Sequence, residues 1–471
     1  MESLSDTLWD VVISGTGLQQ SLLALALSRS GKNILHVDPN PFYGGSEAAF
    51  SLQEADEWAE KNRSADASQL FSAAEAKRDD ALGSARAYSL ALAPQLIHSR
   101  SKLVTQLVDS KAFRQIEFLA VGSFYIYQPS PDPASIPSLS RIPSTREDVF
   151  SNKSIPARSK RSLMKFLKFV LDFNSEPQIE TWTPHADEEL AQFLVSEFKL
   201  DAALQSYVIT LTLTHDGKIS SIRKWGGLSE VAQVGCRAAA VGGATYMLGS
   251  GIKSLERSSS TEAEAPLELS FTNDIDVKAK LVIQGADTTD PNSPRISRLT
   301  VVTKADLSSL FELLTEGAPV PAVAVVAFPT GSVSEGENPS EFPVYAMVHS
   351  SDTGECPSGQ YVIYLSTICT PSAKSILDKA LSSFLSAISN GQDAIPLLYK
   401  LYYEQGDGTN ALSIDGNIAT FSSTSQSLAF DDSILDSVHE AWKFVNAGSE
   451  DGLEYMKFED REAASDDEFY E

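Results

Sequence analysis

The start of the chain has the pattern of a dinucleotide-binding βαβ unit. Residues 11–13 are a short apolar run that predicts a buried strand, and residues 18–27 are apolar at helical spacing. Gly15 and Gly17 lie between these two segments. Asp38 ends a second apolar run, roughly 20 residues on, where such folds place a carboxylate that binds ribose. This segment therefore predicts a strand, a glycine turn, a helix and a second strand.

One glycine of the usual motif is missing. Gln20 stands where the helix would otherwise pack closely against the strand. Two interpretations follow: a working nucleotide site, or a nucleotide-binding fold that now serves another purpose. His36 lies in the second predicted strand, and we expect a packed core histidine there rather than a catalytic one.

Composition narrows the class of protein. A chain of 471 residues, 42% of them apolar, is too long for one compact core and predicts two or three globular domains. The net charge of -26 argues against nucleic-acid binding and disfavours electrostatic attraction to an anionic membrane. The three cysteines are too far apart to predict a zinc site or a disulfide framework, and no apolar run reaches 18 residues. We therefore expect a cytoplasmic protein without a metal site.

The order of predicted elements suggests an α/β domain interrupted by a helical one. Strand signals dominate the beginning of the chain, helical periods dominate its middle, and strands and helices mix again afterwards. We predict residues 51–80 to be an exposed helical or partly ordered connection. The predicted boundaries are 1–144 and 223–448 for the two parts of the α/β domain, 145–222 for the helical domain and 449–471 for an acidic, disordered tail.

Motifs of catalysis are not found. The chain has neither the G-x-S-x-G pattern of a nucleophile elbow nor the H-E-x-x-H pattern of a zinc protease. Residues 249–254 superficially resemble a phosphate-binding loop, but Ile252 separates the glycine from the lysine, so we predict a turn between strands. No catalytic residue is predicted.

One polar stripe stands out. Residues 229–237 predict a helix with Ser229 as N-cap, and Glu230, Gln233 and Arg237 fall on one face of it. The simplest interpretation is a solvated face. The nearby glycines bring backbones close together and support a surface platform instead; they are Gly226, Gly227, Gly242 and Gly243.

A second candidate is an apolar groove between two predicted helices. The helix near residues 160–173 is apolar nearly all round, as expected for the centre of a bundle or for the wall of a groove. A slot against the helix that follows could hold an isoprenoid chain, whereas the alternative is an ordinary bundle core. The predicted lining residues are Leu163, Phe166, Leu167, Val170, Phe193, Tyr207 and Leu211.

Taken together, the chain resembles the family of Rab GDP-dissociation inhibitors and Rab escort proteins. The resemblance spans most of the chain and keeps its order. It rests on VISGTGL at residues 12–18, GKNILHVDPNPFYGG at 31–45, GSFY at 122–125, IPSTREDVF at 142–150 and residues 229–248. Two segments look more like the escort branch: residues 146–150 followed by 160–167, and residues 353–366.

The resemblance implies a flavoprotein monooxygenase-like, FAD/NAD(P)-binding-like α/β domain with mixed sheets, an inserted all-α domain and no bound cofactor. It implies that Tyr43 and Thr245 join Glu230, Gln233 and Arg237 in a Rab-binding platform. Gly15, Gly17 and Asp38 then form a degenerate dinucleotide motif. The implied partners are GDP-bound Rab GTPases, the Rab geranylgeranyltransferase heterodimer and the geranylgeranyl lipid, with transient membrane contact and no nucleic acid.

The family offers two accessory, non-catalytic functions. An escort protein presents Rab to the transferase, which it docks through an exposed phenylalanine that could be Phe166 or Phe169. A dissociation inhibitor extracts and recycles prenylated Rab without supporting prenylation. A flavin-dependent oxidoreductase is the third alternative, from a different class; Gln20 and the lack of a redox or acid/base cluster count against it.

Overall fold

The structure is a computed structural model of the chain. The residues that it describes are 4–130, 136–143, 149–150, 152, 155–173, 175–185, 188, 190–215, 229–257, 266–286, 288–312, 320–389, 395–424, 427–447 and 454–459. At residues 229 and 230 only the backbone is described.

The described strands fall into two large sheets and two short ribbons. They are β1 (Leu8–Ser14), β2 (Ile34–Asp38), β3 (Ala49–Phe50), β4 (Phe71–Arg78), β5 (Leu90–Ala91), β6 (Val121–Gln128), β7 (Ser138–Arg141), β8 (Thr245–Leu248), β9 (Ile252–Arg257), β10 (Leu267–Phe271), β11 (Asp276–Gly285), β12 (Arg295–Thr303), β13 (Val323–Phe328), β14 (Ser334–Glu335), β15 (Asn338–Pro339), β16 (Val344–His349), β17 (Tyr361–Ile368), β18 (Leu397–Gly406), β19 (Leu412–Asp415) and β20 (Ile418–Phe421).

The described α-helices pack on these sheets or form a separate group between residues 157 and 211. They are α1 (Leu18–Leu27), α2 (Leu52–Lys61), α3 (Lys102–Asp109), α4 (Ala157–Leu171), α5 (Gln178–Trp182), α6 (Leu190–Phe198), α7 (Ala202–Leu211), α8 (Ser229–Val241), α9 (Ala373–Ile388) and α10 (Ser433–Val445). None of these helices is long and apolar enough to cross a membrane.

The first sheet has the order β19-β20-β11-β1-β2-β8, with β10 and β9 branching from β11. Its central strand β1 is parallel to both neighbours. Both faces of β1 are covered, because Val11 and Ile13 pack in the core around α1 while Trp9 and Val12 pack against the β9–β10 side. This explains the uninterrupted apolar run and confirms the predicted opening βαβ unit, with α1 and β2 at their predicted positions.

The second sheet has the order β4-β18-β12-β17-β16-β13-β6-β7 and is antiparallel except for the β13–β6 pair. Neighbouring residues of β12 serve opposite faces: Val301 packs with α9, and Val302 packs in the core that contains Trp58 of α2. Strands from before and after the helical group lie side by side in this sheet. That is the arrangement which a two-piece α/β domain requires, although the boundaries at 144, 222 and 448 stay predictions.

The helical group has a core of its own. Ten buried residues between Val149 and Val208 form one cluster that includes Leu163 of α4, Phe193 of α6 and Leu204 of α7. The single helix predicted to follow α4 is two helices, α6 and α7. Lys199 between them adopts a left-handed conformation (φ 55°), and Asp201 caps α7 by accepting a hydrogen bond from the Leu204 N–H at 3.0 Å.

Two other expectations require correction. Residues 51–80 are helical in α2, as one part of the prediction had it, but α2 buries Trp58 and has a capping box at Ser51, and β4 adds an edge strand to the second sheet. Residues 454–459, predicted within a disordered tail, pack on the first core. Met456 is 1% exposed, and the Tyr455 ring stacks on His439 with 4.4 Å between centroids. Apolar side chains at 455, 456 and 458 outweigh the acidic neighbours there.

Candidate functional site

The glycine turn after β1 is held closed by its own neighbours. Gly15 has φ 93°, and its carbonyl oxygen lies 2.6 Å from Nε2 of His36, which is fully buried. Asp38 points inward: its Oδ2 accepts hydrogen bonds from the Thr16 N–H and Oγ1–H, both at 2.6 Å, and Oδ1 accepts from the Asn40 N–H at 2.7 Å. Asp38 is therefore committed to the turn. The packed His36 is confirmed, and desolvation lowers its pKa to about 4.

A carboxylate of the protein lies at the N-terminus of α1. Oε2 of Glu47 accepts a hydrogen bond from the Leu18 N–H at 3.1 Å. Its Oε1 accepts from the Ser46 hydroxyl at 2.6 Å and from the Thr424 hydroxyl at 3.0 Å. Glu47 is 2% exposed, and burial raises its pKa although these hydrogen bonds act in the opposite direction. In dinucleotide-binding folds this helix end receives the pyrophosphate.

Gln20 fills the rest of the turn. Its side-chain amide lies so close to Gly285 that a Cβ atom there would come within 2.4 Å of Gln20 Nε2. A Cβ atom on Gly17 would meet Oε1 at 3.1 Å. A dinucleotide would contact the protein at the helix end and at the ribose carboxylate. Glu47 occupies the helix end, and the carboxylate of Asp38 is already hydrogen-bonded to Thr16. The residues present do not fit a bound dinucleotide.

The turn instead supports Tyr43. The Gly44 N–H donates to the Thr16 carbonyl oxygen at 3.2 Å, and Gly44 has φ 101°, a conformation that favours glycine. Tyr43, next to it, is 36% exposed. Its ring centroid lies 6.2 Å from that of Tyr246 in β8. The aromatic pair joins the segment after β2 to the edge of the first sheet.

Helix α8 presents a polar face beside this pair. Gln233 and Arg237 are exposed, whereas Val231, Ala232, Val234, Cys236 and Ala239 are buried. A Cβ atom on Gly235 would lie 2.6 Å from the Ser21 carbonyl oxygen, so this glycine lets α8 lie directly on α1. The predicted helix is confirmed, and its orientation is fixed by that contact. Gln233 and Arg237 consequently face solvent on one stripe.

Tyr43 and α8 meet around Cys236. The Cys236 Sγ lies 3.2 Å from the Ser21 Oγ, and burial raises the pKa of the thiol to about 11, so it is neutral. Burial also raises the pKa of Tyr43, to which nearby Cys236 contributes. Thr245 is half-buried in β8, opposite Leu35 of β2. The side chain of Glu230 lies outside the described residues.

The residues predicted to line a groove pack on one another. Leu163 and Phe193 are buried, while Phe166, Leu167 and Tyr207 are partly buried against the same cluster. Val170 is 43% exposed, and Leu211 is half-buried. In this structure the side chains fill the space between α4 and α6, as in the bundle-core alternative.

Neither predicted docking phenylalanine is exposed. Phe166 and Phe169 both contact Phe198 of α6, with centroid distances of 5.3 and 5.0 Å. Both rings are partly buried because these residues flank the buried stripe through Leu163, and their role in docking stays a prediction. The exposed aromatic residues nearby are Phe150, at 58%, and Phe173, at 36%.

Sequence reasoning missed the role of Glu47. Its bond to Leu18 joins residues 29 positions apart, and its bond to Thr424 joins residues 377 positions apart. A single carboxylate after Tyr43-Gly-Gly45 carries no helical or strand pattern. The signal that sequence analysis could have used is the glutamate itself, which follows a glycine turn that lacks its third glycine.

Comparison with known proteins shows which proteins this chain resembles. The family model described as GDP dissociation inhibitor matches residues 5–217. The "Rab proteins geranylgeranyltransferase component A" of Saccharomyces cerevisiae is 28% identical over 80% of this chain and 65% of its own length. The protein of the same name from Candida albicans is 26% identical over 76% of this chain and 59% of its own length. The match to the family model covers a little less than half of the chain, and over that part the chain is similar to this family. The chain spans about three-fifths of the length of these two relatives.

Solved structures support the fold of the chain. The Rab GDI of Plasmodium falciparum covers 92% of this chain and 97% of its own, with a TM-score of 0.63 and 16% identity. An oxidoreductase from Methanosarcina mazei covers 92% of this chain and 99% of its own, with a TM-score of 0.51 and 11% identity. The predicted FAD-binding-like α/β fold is therefore confirmed.

Proposed function

We propose that this protein is a Rab escort protein, a non-catalytic component that binds GDP-bound Rab and presents it to the geranylgeranyltransferase. The proposal is supported by the exposure of Tyr43, by the exposure of Gln233 and Arg237 on α8, and by a glycine turn that Glu47 and Gln20 fill. A turn of this kind has lost the space for a nucleotide and retains a rigid support for a surface. No cofactor is required.

Binding would use the face as a recognition surface for a folded GTPase. An arginine next to exposed aromatic and amide groups is typical of the residues that dominate protein interfaces. Discrimination between GDP and GTP would come from the Rab partner, whose switch segments order differently when the γ-phosphate is present. Glu230, on the same predicted stripe, and Thr245 would extend this platform.

The helical group would then shield the lipid. Its aromatic cluster offers apolar surface, and each buried methylene of an isoprenoid contributes about 0.8 kcal/mol. Because Phe166 and Phe169 now pack on Phe198, the lipid would have to displace α4 from α6 to enter. Delivery of the shielded Rab to membranes, with transient membrane contact by a cytoplasmic protein, completes this function.

A dissociation inhibitor is the second candidate. The description of the matched family model favours it, and it would use the same face to extract prenylated Rab. The escort function is preferred because the relatives reported above carry the name of the transferase component. Docking of the transferase would use Phe166 or Phe169, which are partly buried, or Phe150, which is 58% exposed.

Titration with an unprenylated, GDP-loaded Rab tests the surface. We expect Arg237→Ala to weaken binding by more than about 1 kcal/mol, because truncation of an interface charge removes its hydrogen bonds and leaves the partner group unpaired. Arg86→Ala is the matched control, since Arg86 is also exposed but lies outside this face. Equal affinities of the two variants and the wild type would remove the assignment.

A further inference from the structure

Helix α4 carries four exposed cations on one face. Arg158, Arg161, Lys165 and Lys168 are spaced by three, four and three residues, which aligns them along about 15 Å of the helix. All four are exposed, whereas Leu163 on the opposite side is buried. We call these four residues the basic stripe.

Helix stability does not explain the basic stripe. The N-cap of α4 is Pro156, which makes no side-chain capping bond, and the first turn has no acidic residue. Arg158 and Arg161 lie near this N-terminus, where positive side chains oppose the helix dipole. These two cations therefore destabilise the element that carries them.

Local ion pairing does not explain the basic stripe either. Among the residues that the structure describes, no carboxylate forms an ion pair with any of the four. Lys165 donates to the Glu197 carbonyl oxygen at 2.9 Å, and its Nζ lies 5.3 Å from the Phe198 ring centroid. The positive charges are thus left for an external partner.

The basic stripe ends beside exposed apolar side chains. Leu171 is 70% exposed and Phe173 36%. Cations followed by apolar groups on one exposed surface suit a membrane interface, where the cations contact anionic headgroups and the apolar groups enter the boundary with the acyl chains.

The negative charge of the whole molecule makes the basic stripe the surface that can approach an anionic membrane. At a net charge of -26, most of the surface is repelled by an anionic membrane. Screening limits that repulsion to about 8 Å at physiological ionic strength, so the nearest charges decide whether approach succeeds. A face with four adjacent cations can approach where the acidic surface cannot, and it fixes the orientation of the protein on the membrane.

We propose that the basic stripe, with Leu171 and Phe173, docks this protein onto an anionic lipid surface. The role of this docking rests on the proposed function. Because α4 is also a wall of the proposed lipid groove, docking would bring the groove to the bilayer. The binding itself depends on α4 alone and is measured without Rab.

Vesicle flotation of the full chain tests the proposal. We expect binding to vesicles of phosphatidylcholine with phosphatidylserine, little binding to phosphatidylcholine alone, and a loss of binding as salt increases. Neutralising the basic stripe (R158Q, R161Q, K165Q and K168Q together) should lower partitioning more than about tenfold, since each cation near an anionic surface contributes separately. Leu171→Ser should reduce the binding that persists at high salt.

A matched control removes four exposed cations elsewhere. Together K61Q, R63Q, R86Q and K379Q change the net charge by the same amount and should leave partitioning near the wild-type value. Circular dichroism checks that both variants fold. Equal losses in the two variants would overturn the proposal, as would a wild-type protein that ignores anionic vesicles.

Two further outcomes separate the possible partners. If the stripe variant keeps vesicle binding but loses the geranylgeranyltransferase, the basic stripe serves an acidic protein and the lipid proposal fails. If the wild type binds anionic vesicles through the basic stripe but does not bind Rab, the lipid proposal stands and the proposed escort function fails.

Discussion

Glu47 and Gln20 convert the glycine turn from a ligand site into a structural support. Glu47 satisfies the Leu18 N–H at the helix end, where an anion would bind in a nucleotide-binding relative. Gln20 occupies the space that Gly17 and Gly285 leave open. Thr16 of the same turn holds the segment next to Tyr43, because its hydroxyl donates to Asp38 and accepts a hydrogen bond from the Gly44 N–H.

The burial of Glu47 predicts a pH dependence of stability. Because the folded-state pKa is raised, ionisation is less favourable in the folded chain than in the unfolded one. Glu47 therefore lowers the free energy of unfolding as the pH rises above 4.5 and towards the raised pKa. Glu47→Gln should lose this dependence, so that its free energy of unfolding increases relative to that of the wild type as the pH rises. Urea unfolding between about pH 5 and pH 8 measures the difference.

A second variant should strengthen the pH dependence of stability that Glu47→Gln removes. Thr424→Val removes a hydroxyl that donates to the Glu47 carboxylate, so the charged form becomes still less favourable and the pH dependence should steepen. A difference between wild type and Glu47→Gln that is constant over this pH range would show that the carboxylate stays ionised as easily in the folded chain as in the unfolded one.

At the scale of elements, the crossing of α1 and α8 positions the exposed face. Gly235→Ala would place a Cβ atom 2.6 Å from the Ser21 carbonyl oxygen. Alanine is the better helix former by about 1 kcal/mol, but the clash with backbone should outweigh this and lower stability by about 1–3 kcal/mol. Ala240→Ser on the exposed side of α8 should change stability little. A stabilised Gly235→Ala protein would mean that the two helices are not in close contact.

The segment 454–459 should stabilise the first core. Met456 is buried there, and a methionine-to-alanine change in a core costs about 2–5 kcal/mol, with the lower end expected for a segment that can detach locally. Lys457→Ala, at an exposed neighbour, is the control. Urea unfolding gives the free energy of unfolding of Met456→Ala and of Lys457→Ala. Equal values for the two variants would indicate that the segment does not dock in solution.

The elements also show what the sequence could predict. β1, α1 and β2 followed from apolar periodicity because each is buried and short. β4 has the sequence FSAAEAKR, with no β-branched residue, and is a strand because it pairs with β18. The break before α7 had a signal in Asp201, an N-cap residue. Gln233 and Arg237 followed from helical spacing, whereas the Glu47 contacts join distant segments and left no local pattern.

At the scale of the whole molecule, the proposed functions divide between two parts. The first sheet and α8 carry Tyr43 and Arg237, and the helical group between residues 157 and 211 carries the apolar cluster and the basic stripe. The proposed function, in which one protein holds a GTPase, a lipid and a membrane, needs surfaces of different chemistry on separate parts. The acidic remainder of the surface keeps the molecule in solution.

Reconstituted prenylation tests the central claim. The reaction contains purified Rab geranylgeranyltransferase, unprenylated GDP-loaded Rab and labelled geranylgeranyl diphosphate, with and without this protein. We predict that lipid transfer requires the protein and is reduced when Arg237→Ala replaces the wild type. If the wild-type protein binds Rab but no lipid is transferred, the protein is not an escort, and the dissociation-inhibitor function would stand in its place.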